Sequence, residues 1–102
     1  MDMPIYKFWK VRYTEAWYQL SPEEQAKLSA KVEEALNQAG GKRIAFAVSL
    51  WADEHWAAFG VEQFPSLEAV MQHTMLLYKF NWFRYIDAET TLGAEYNPEM
   101  WG

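Results

Sequence analysis

The chain contains no cysteine, which excludes a disulfide framework, a thiolate nucleophile and any metal site built on cysteine ligands. It is also poor in positive charge, with nine Lys and Arg against fourteen Asp and Glu and a formal net charge of -5. The basic residues never form a run, and the pair Lys42-Arg43 is their densest spot. Because phosphate groups are bound by clustered Lys and Arg, we expect no nucleic-acid partner.

Long hydrophobic runs are missing as well. No apolar stretch approaches the roughly 18–20 residues that cross a bilayer, so we expect no membrane-embedded part. The start, Met1-Asp2-Met3-Pro4, lacks the pattern of a secretory or transit peptide. With no cysteine to oxidise, these absences favour a cytoplasmic protein. The length predicts one domain over 1–102, with a core at 5–92 and a tail at 93–102.

Aromatic residues are abundant, since the chain holds six Trp, six Tyr and six Phe. Each such ring buries roughly 150–250 Å² when it packs. A domain of 102 residues has a limited interior for eighteen rings. We therefore expect some of them to line a ligand pocket, a subunit interface or both.

The spacing of apolar residues and chain breakers predicts six elements. A strand is followed by a helix that Ser21-Pro22 begins and Gly40-Gly41 ends. Two strands, a second helix and a last strand complete the chain. The predicted bounds are 5–13, about 21–39, 43–51, 56–64, 65 to about 80 (or into Arg84), and 85–92. This order is the split β-α-β arrangement of a ferredoxin-like α+β fold, a four-stranded antiparallel sheet with two helices on one face.

Both faces of the predicted sheet are apolar. In the first strand, Tyr6 and Phe8 alternate with Ile5, Trp9 and Val11. The second helix has an apolar arc of roughly 220°, more than one sheet face can cover. Two helices cover only one face of a sheet, so we expect a second copy of the chain to cover the other.

A four-residue loop, Ala52 to His55, is predicted to join the second and third strands. The register that it implies puts small side chains on one face and bulky ones on the other. The small face would form a trough with Trp51 and Trp56 at one end and Glu62 at the other. Its floor is a candidate substrate pocket and consists of Ala45, Ala47, Ser49, Ala58 and Gly60.

Glu62 and His73 are the candidates for proton transfer. Desolvation at the end of the trough would raise the pKa of Glu62 and suit it to act as a general base; alternatively, it is an edge-strand carboxylate in water. His73, on the second helix, is either a base or ligand or a structural histidine. His55 lies in the loop and is expected to be solvated. The two histidines lack a helical zinc spacing, so no metal site is predicted.

Five residues are candidates for holding a substrate. Arg84 and Tyr85 lie at the turn into the last strand and either bind a substrate oxygen or pair at the surface. Trp82, like Trp51 and Trp56, either stacks on a planar ligand or packs in the core or interface.

The pattern resembles the dimeric α/β barrel superfamily over 5–92. The resemblance rests on the element order, on Phe64-Pro65-Ser66-Leu67-Glu68-Ala69 at the second helix, and on Asn81-Trp82-Phe83-Arg84-Tyr85 before the last strand. The two segments look most like the muconolactone isomerase branch. The resemblance implies a homodimer whose two sheets face each other.

The same superfamily includes cofactor-free quinone-forming monooxygenases and haem-degrading monooxygenases. The haem-degrading branch uses an Asn on the first strand, a Trp and a helix His. Only His73 matches here, because the first strand has no Asn. We therefore expect no cofactor, with haem held by His73 as the alternative.

Together these patterns predict a homodimeric enzyme for a small apolar metabolite with a cyclic or aromatic ring. The reaction would be proton transfer, as in isomerisation or cofactor-independent oxygenation. Glu62 or His73 would be the base, Arg84 or Tyr85 would hold a substrate oxygen, and the tryptophans would exclude water. The alternatives are a non-catalytic dimer that binds a hydrophobic ligand or haem, and a dimer of purely structural role.

Overall fold

The computed structural model describes residues 3–101 and has an α+β ferredoxin-like fold, as predicted. One antiparallel sheet has the strand order β2-β3-β1-β4. Its strands are β1 (Ile5–Tyr13), β2 (Lys42–Val48), β3 (Ala58–Phe64) and β4 (Ile86–Ala94). The helices are α1 (Glu15–Tyr18), α2 (Pro22–Gln38), α3 (Leu67–Lys79) and α4 (Pro98–Trp101), with a 3-10 turn at Trp82–Arg84.

Helix α2 begins and ends where the sequence predicts. The Ser21 hydroxyl accepts from the Glu24 backbone N–H at 3.1 Å, and the Glu24 carboxylate accepts from the Ser21 N–H at 3.0 Å. This capping box satisfies two of the free N–H groups at the helix start. At the other end, Gly40 adopts a left-handed φ of 76°, and the Gly41 N–H donates to the Leu36 carbonyl at 2.9 Å.

Helix α3 ends at Lys79, short of the extension into Arg84 that the sequence allowed. The reason is Asn81, which adopts a left-handed conformation (φ 57°) that a helix cannot continue through. The chain then makes the 3-10 turn at Trp82–Arg84 and enters β4. This turn brings Trp82 and Phe83 beside the sheet, where they pack on a core cluster of Val11, Ala58 and Ile86.

The loop between β2 and β3 is longer than predicted and changes their register. It spans 49–57, because the N–H groups of Ser49 and Leu50 both donate to the Ala57 carbonyl instead of continuing the ladder. Phe46 pairs with Gly60 and Val48 with Ala58. An irregularity between Arg43 and Ala45 shifts the pairing further along the strand.

The predicted trough of small side chains is therefore wrong. A one-residue change of register moves side chains to the opposite face, so Phe46 and Val48 share a face with Gly60 and Ala58. The space beside Gly60, which the prediction left open as part of the pocket floor, is filled by the side chain of Trp9. A Cβ added there would contact the indole of Trp9, and it would lie 2.9 Å from the Ala45 carbonyl oxygen. Trp9 in turn packs edge-on against Phe46, with ring centroids 5.3 Å apart.

The face of the sheet away from α2 and α3 carries apolar side chains without cover. Phe8 on β1 and Phe59 on β3 pack edge-on at 6.2 Å and remain 36% and 38% exposed. Arg12 and Asp87 form an ion pair of 3.1 Å on the same face. Within residues 3–101, no helix combines the length and apolar character that crossing a bilayer would need.

Candidate functional site

A cavity of about 140 Å³ lies between the sheet and helices α2 and α3. All four strands contribute to its floor, and Ser29, Val32 and Glu33 of α2 lie on its opposite side. Its walls are mostly apolar. The polar exceptions form a connected group at the β1–β3 pair, called here the polar cluster: Lys7, Glu33, Arg43, Glu62 and His73.

Three members of the polar cluster are deeply buried. Lys7 is 7% exposed, and Glu62 and His73 are each 3% exposed. Lys7 and Glu62 are direct partners across the two central strands, so their side chains leave the same face of the sheet. His73 comes from α3, which packs on that face. Buried ionisable groups lining a cavity are typical of functional sites.

Glu62 is linked to the surface through Arg43. Nη2 of Arg43 donates to the Glu62 carboxylate at 3.3 Å. Nη1 of the same guanidinium contacts the more exposed carboxylate of Glu33. Burial raises the pKa of Glu62, and this effect outweighs the opposing charges of Lys7 and Arg43. Glu62 is therefore a better proton acceptor than an exposed glutamate.

His73 is neutral at physiological pH. Burial lowers its pKa to about 3, and the neighbouring charges of Lys7 and Arg43 act in the same direction. Its Nδ1 lies 3.1 Å from Nζ of Lys7, an atom that always has an N–H to donate. This contact assigns the proton of the imidazole to Nε2, which is buried and has no hydrogen-bond partner among the described residues.

The other end of the cavity is aromatic. Tyr13 of β1 stacks on Trp17 of α1 at 4.7 Å, and Trp17 packs edge-on against Trp82 at 5.9 Å. Phe83, the neighbour of Trp82, packs against Tyr78 at 4.8 Å. Burial raises the pKa of Tyr13, which keeps its phenol protonated. This end of the cavity offers flat apolar surfaces to a ring.

Of the site residues that the sequence predicts, Glu62, His73 and Trp82 line this one cavity. The others that were assigned to the trough lie elsewhere. Trp51 is 81% exposed, Trp56 packs on His55, and the Ser49 hydroxyl donates to the Trp56 carbonyl within the loop. Ala58 belongs to the core, and Gly60 lies under Trp9.

Arg84 and Tyr85 do not belong to the cavity wall. Their backbone carbonyls hold the end of β1: Thr14 donates its hydroxyl to Arg84 at 2.8 Å and its N–H to Tyr85 at 3.1 Å. The turn that contains them is thus fixed to the start of α1, and Trp82 is held in place with it.

Sequence reasoning missed Lys7 and Arg43. The signal for Lys7 is its position, since it interrupts the inward alternation of Ile5, Trp9 and Val11 with a charge. An inward charge needs a partner, and Glu62 is opposite it. Arg43 lies beside the irregularity in β2, which the sequence did not reveal. No group of three or more His, Cys, Asp or Glu side chains within 3–101 is arranged to hold a metal ion.

No family model matches the chain, and no curated protein matches it significantly. Solved structures do match. A mutant chlorite dismutase from Candidatus Nitrospira defluvii aligns with a TM-score of 0.74 at 15% identity, over 96% of this chain and 42% of that one. A Rhodopseudomonas palustris protein of unknown function aligns with a TM-score of 0.65 at 19% identity, over 95% and 87%.

A hypothetical Arabidopsis thaliana protein aligns with a TM-score of 0.60 at 14% identity, over 95% of this chain and 94% of that one. At such identities the likeness shows the fold alone, which agrees with the strand order and helices described above. The chain spans less than half the length of the chlorite dismutase.

Proposed function

We propose that the chain is an enzyme that transfers a proton on a small cyclic metabolite bound between the sheet and helices α2 and α3. The observation that carries this proposal is the buried carboxylate of Glu62 in the wall of a mostly apolar cavity. The resemblance of the sequence to muconolactone isomerases supports the same class of chemistry.

The volume and the lining residues of the cavity indicate the size and chemistry of the ligand that it can bind. Its volume of about 140 Å³ is close to the roughly 150 Å³ of an apolar protein cavity that accepts benzene. Tyr13, Trp82 and Phe83 supply flat apolar surfaces for such a ring. Glu62 and His73 at the other end supply the proton acceptor and a hydrogen-bond donor. A five- or six-membered ring with one oxygen function meets both requirements.

Glu62 and His73 take separate roles in this reaction. Glu62 is the base, because burial raises its pKa and with it the proton affinity of the carboxylate, while the Arg43 guanidinium favours the ionised form. Neutral His73 has its Nε2–H left to donate to the substrate oxygen, where negative charge develops as the proton leaves carbon. With its pKa lowered to about 3, His73 is a poor proton acceptor at neutral pH, so the role of base falls to Glu62.

The test is hydrogen–deuterium exchange at carbon. Small cyclic ketones and lactones are incubated with the protein in D₂O, and loss of the proton signal next to the carbonyl is followed by NMR. We expect catalysed exchange of at least one compound. Glu62→Gln should slow it about 10²–10⁴-fold, the usual contribution of a general base.

Glu33→Gln is the matched control, because Glu33 contacts the same guanidinium but its side chain is 53% exposed. It should retain most of the exchange rate. Equal losses in the two variants would contradict the assignment of Glu62. Binding of a ring compound without exchange in the wild-type protein would favour the non-catalytic binding alternative.

Haem fits this site poorly. The cavity is well below the roughly 300–1,000 Å³ of sites for larger ligands. The Nδ1 contact with Lys7 leaves the proton on Nε2, and an imidazole binds a metal through a nitrogen without a proton. No step of the proposed reaction passes through haem.

We also propose that the protein is a homodimer whose subunits meet through the uncovered sheet face. Phe8 and Phe59 pack on each other there, and the Lys10 ammonium lies 5.9 Å from the centre of the Phe8 ring. Lys10 is opposite Glu89 across the strands, and Arg12 is paired with Asp87. A face of aromatic rings whose charges have partners of opposite sign is suited to a second copy of itself. The cavity lies on the opposite side of the sheet, so each subunit keeps its own site.

A further inference from the structure

Lys7 is a buried amine that lies opposite Glu62 but forms no ion pair with it or with another described carboxylate. It lies on β1, between β3 and β4, and its side chain lines the cavity. None of the ion pairs between described residues includes it. Its cross-strand neighbour Glu62 is hydrogen-bonded to Arg43 instead. A buried lysine is costly to keep unless it is paired or used.

The surroundings of Lys7 favour its free amine. Burial lowers its pKa, and the charge of Glu62 only partly opposes this effect. His73 accepts an N–H of Nζ through Nδ1, and a neutral amine can donate that hydrogen bond while its lone pair stays available. Amines held in apolar pockets are the usual lysine nucleophiles toward carbonyl groups.

We propose that Lys7 is a nucleophile that forms an imine with a small aldehyde or ketone bound in the cavity. The proposal rests on the proposed function in one respect: the cavity must admit a ring-sized molecule. It narrows the substrate class to compounds with an aldehyde or ketone group.

The step balances with groups of the polar cluster. The lone pair of Nζ attacks the carbonyl carbon, the C=O π pair moves to oxygen, and a proton passes from nitrogen to that oxygen to give a carbinolamine. The nitrogen lone pair then forms C=N while the hydroxyl leaves as water, taking a proton from the carboxylic acid form of Glu62. The nitrogen returns its remaining proton to Glu62. The net change is amine plus carbonyl giving imine plus water, with no oxidant or reductant.

Formation of the imine would make it easier for Glu62 to remove a proton from the neighbouring carbon. While protonated, the C=N group withdraws electrons from the neighbouring carbon more strongly than a ketone, so a proton on that carbon is removed more readily. Lys7 and Glu62 are direct cross-strand partners, which places nucleophile and base on one side of the bound ring.

Reductive trapping tests the proposal. The full chain is incubated with cyclohexanone and sodium cyanoborohydride at neutral pH, and the adduct is located by peptide mass spectrometry. We expect Lys7 to be labelled at least about ten-fold faster than any exposed lysine, because the cavity holds the ketone next to its amine. Five other lysines serve as internal references: Lys10, Lys27, Lys31, Lys42 and Lys79.

Lys10→Met is the matched control, since Lys10 lies on the same strand but on the opposite face of the sheet. It should keep the fast label, and Lys7→Met should lose it. Cyclohexanol, which has the same ring and no carbonyl, should protect Lys7 by competing for the cavity. Labelling spread evenly over all lysines of the wild-type protein would overturn the proposal, and this readout needs no variant to fold.

The two proposals fail in different ways. Exchange at carbon that depends on Glu62, with Lys7 unlabelled, would overturn the imine and leave the proton-transfer function intact. Fast labelling of Lys7 without any exchange would support the imine and contradict the proton-transfer function.

Discussion

At the scale of single residues, the polar cluster combines side chains that are each costly to bury. His73 and Lys7 are held where burial disfavours their charged forms, and Glu62 where burial disfavours its carboxylate. The neutral forms are therefore more populated in the folded protein than in the unfolded chain. Stability must depend on pH for that reason.

The lowered pKa of His73 makes the free energy of unfolding rise with pH. Its pKa is about 3 in the folded protein and 6.5 in the unfolded chain, so the unfolded chain binds the extra proton first. The contribution to stability is complete above about pH 6.5 and is lost as the pH falls toward 3, by about 1.4 kcal/mol per pH unit.

Replacing His73 by Asn isolates this contribution, because the amide oxygen can accept from Lys7 but does not titrate. We expect the free energy of unfolding of wild type to fall relative to that of His73→Asn as the pH drops from about 6.5 toward 3, and the two curves to be parallel above pH 6.5. Urea titrations followed by tryptophan fluorescence measure this. His55→Asn, which changes an exposed loop histidine, is the reference, and curves for His73→Asn and wild type that stay parallel below pH 6.5 would contradict the assignment.

The sequence predicted part of this residue-scale detail. Glu62 and His73 stood out as titratable residues inside apolar segments, and both line the cavity. Lys7 was passed over because a lysine in a strand is usually solvated. Its burial follows from contacts with β3 and α3, which come from parts of the chain far away in sequence.

At the scale of elements, β3 depends on the absence of a side chain at Gly60. A methyl group there would meet the Trp9 indole and the Ala45 carbonyl, so the strand and its neighbours would have to shift. Gly60→Ala should lower the free energy of unfolding by about 1–3 kcal/mol, as overpacked sites do. It should also change the fluorescence of Trp9, which forms part of the cavity wall.

Gly93 provides the comparison for this substitution. It also lies in a strand, on β4, but a Cβ added there would have no neighbour within 4 Å. Gly93→Ala should leave thermal stability nearly unchanged or raise it slightly, because alanine restricts the unfolded chain. Equal changes in stability for Gly60→Ala and Gly93→Ala would contradict the close packing of Trp9 against Gly60.

The strands and long helices were predictable because their signals are local. The strand β1 and the start and end of α2 follow from alternation, a capping box and a glycine stop. The register of β2 against β3 was not predictable, because it depends on loop turns and on an irregularity at Arg43 to Ala45. A four-residue loop was the simplest connection, but the turns at Ser49 and Ala57 shorten both strands.

At the scale of the whole molecule, the uncovered sheet face predicts association. We expect a homodimer at micromolar concentration by light scattering, since Phe8 and Phe59 lie at the centre of this face. Phe59→Lys should give a monomer, because the interface would have to bury a second ammonium directly opposite Lys10. Met71→Lys, on α3 at the opposite side of the sheet, also changes an apolar exposed residue and should remain a dimer. A monomeric wild-type protein would contradict the proposed interface.

The pair of Lys7 and Glu62 has a consequence for folding as well as for chemistry. A one-residue slip of β1 against β3 would separate the two ionisable side chains and carry one of them to the sheet face of Phe8 and Phe59. Such a slip leaves a buried polar group without its hydrogen-bond partners, which is costlier than exchanging one apolar contact for another. The two side chains therefore make one alignment of the central strands strongly preferred. In a variant with apolar residues at both position 7 and position 62, a shifted register of β1 against β3 would cost less free energy. We expect such a variant to refold to a mixture of conformers.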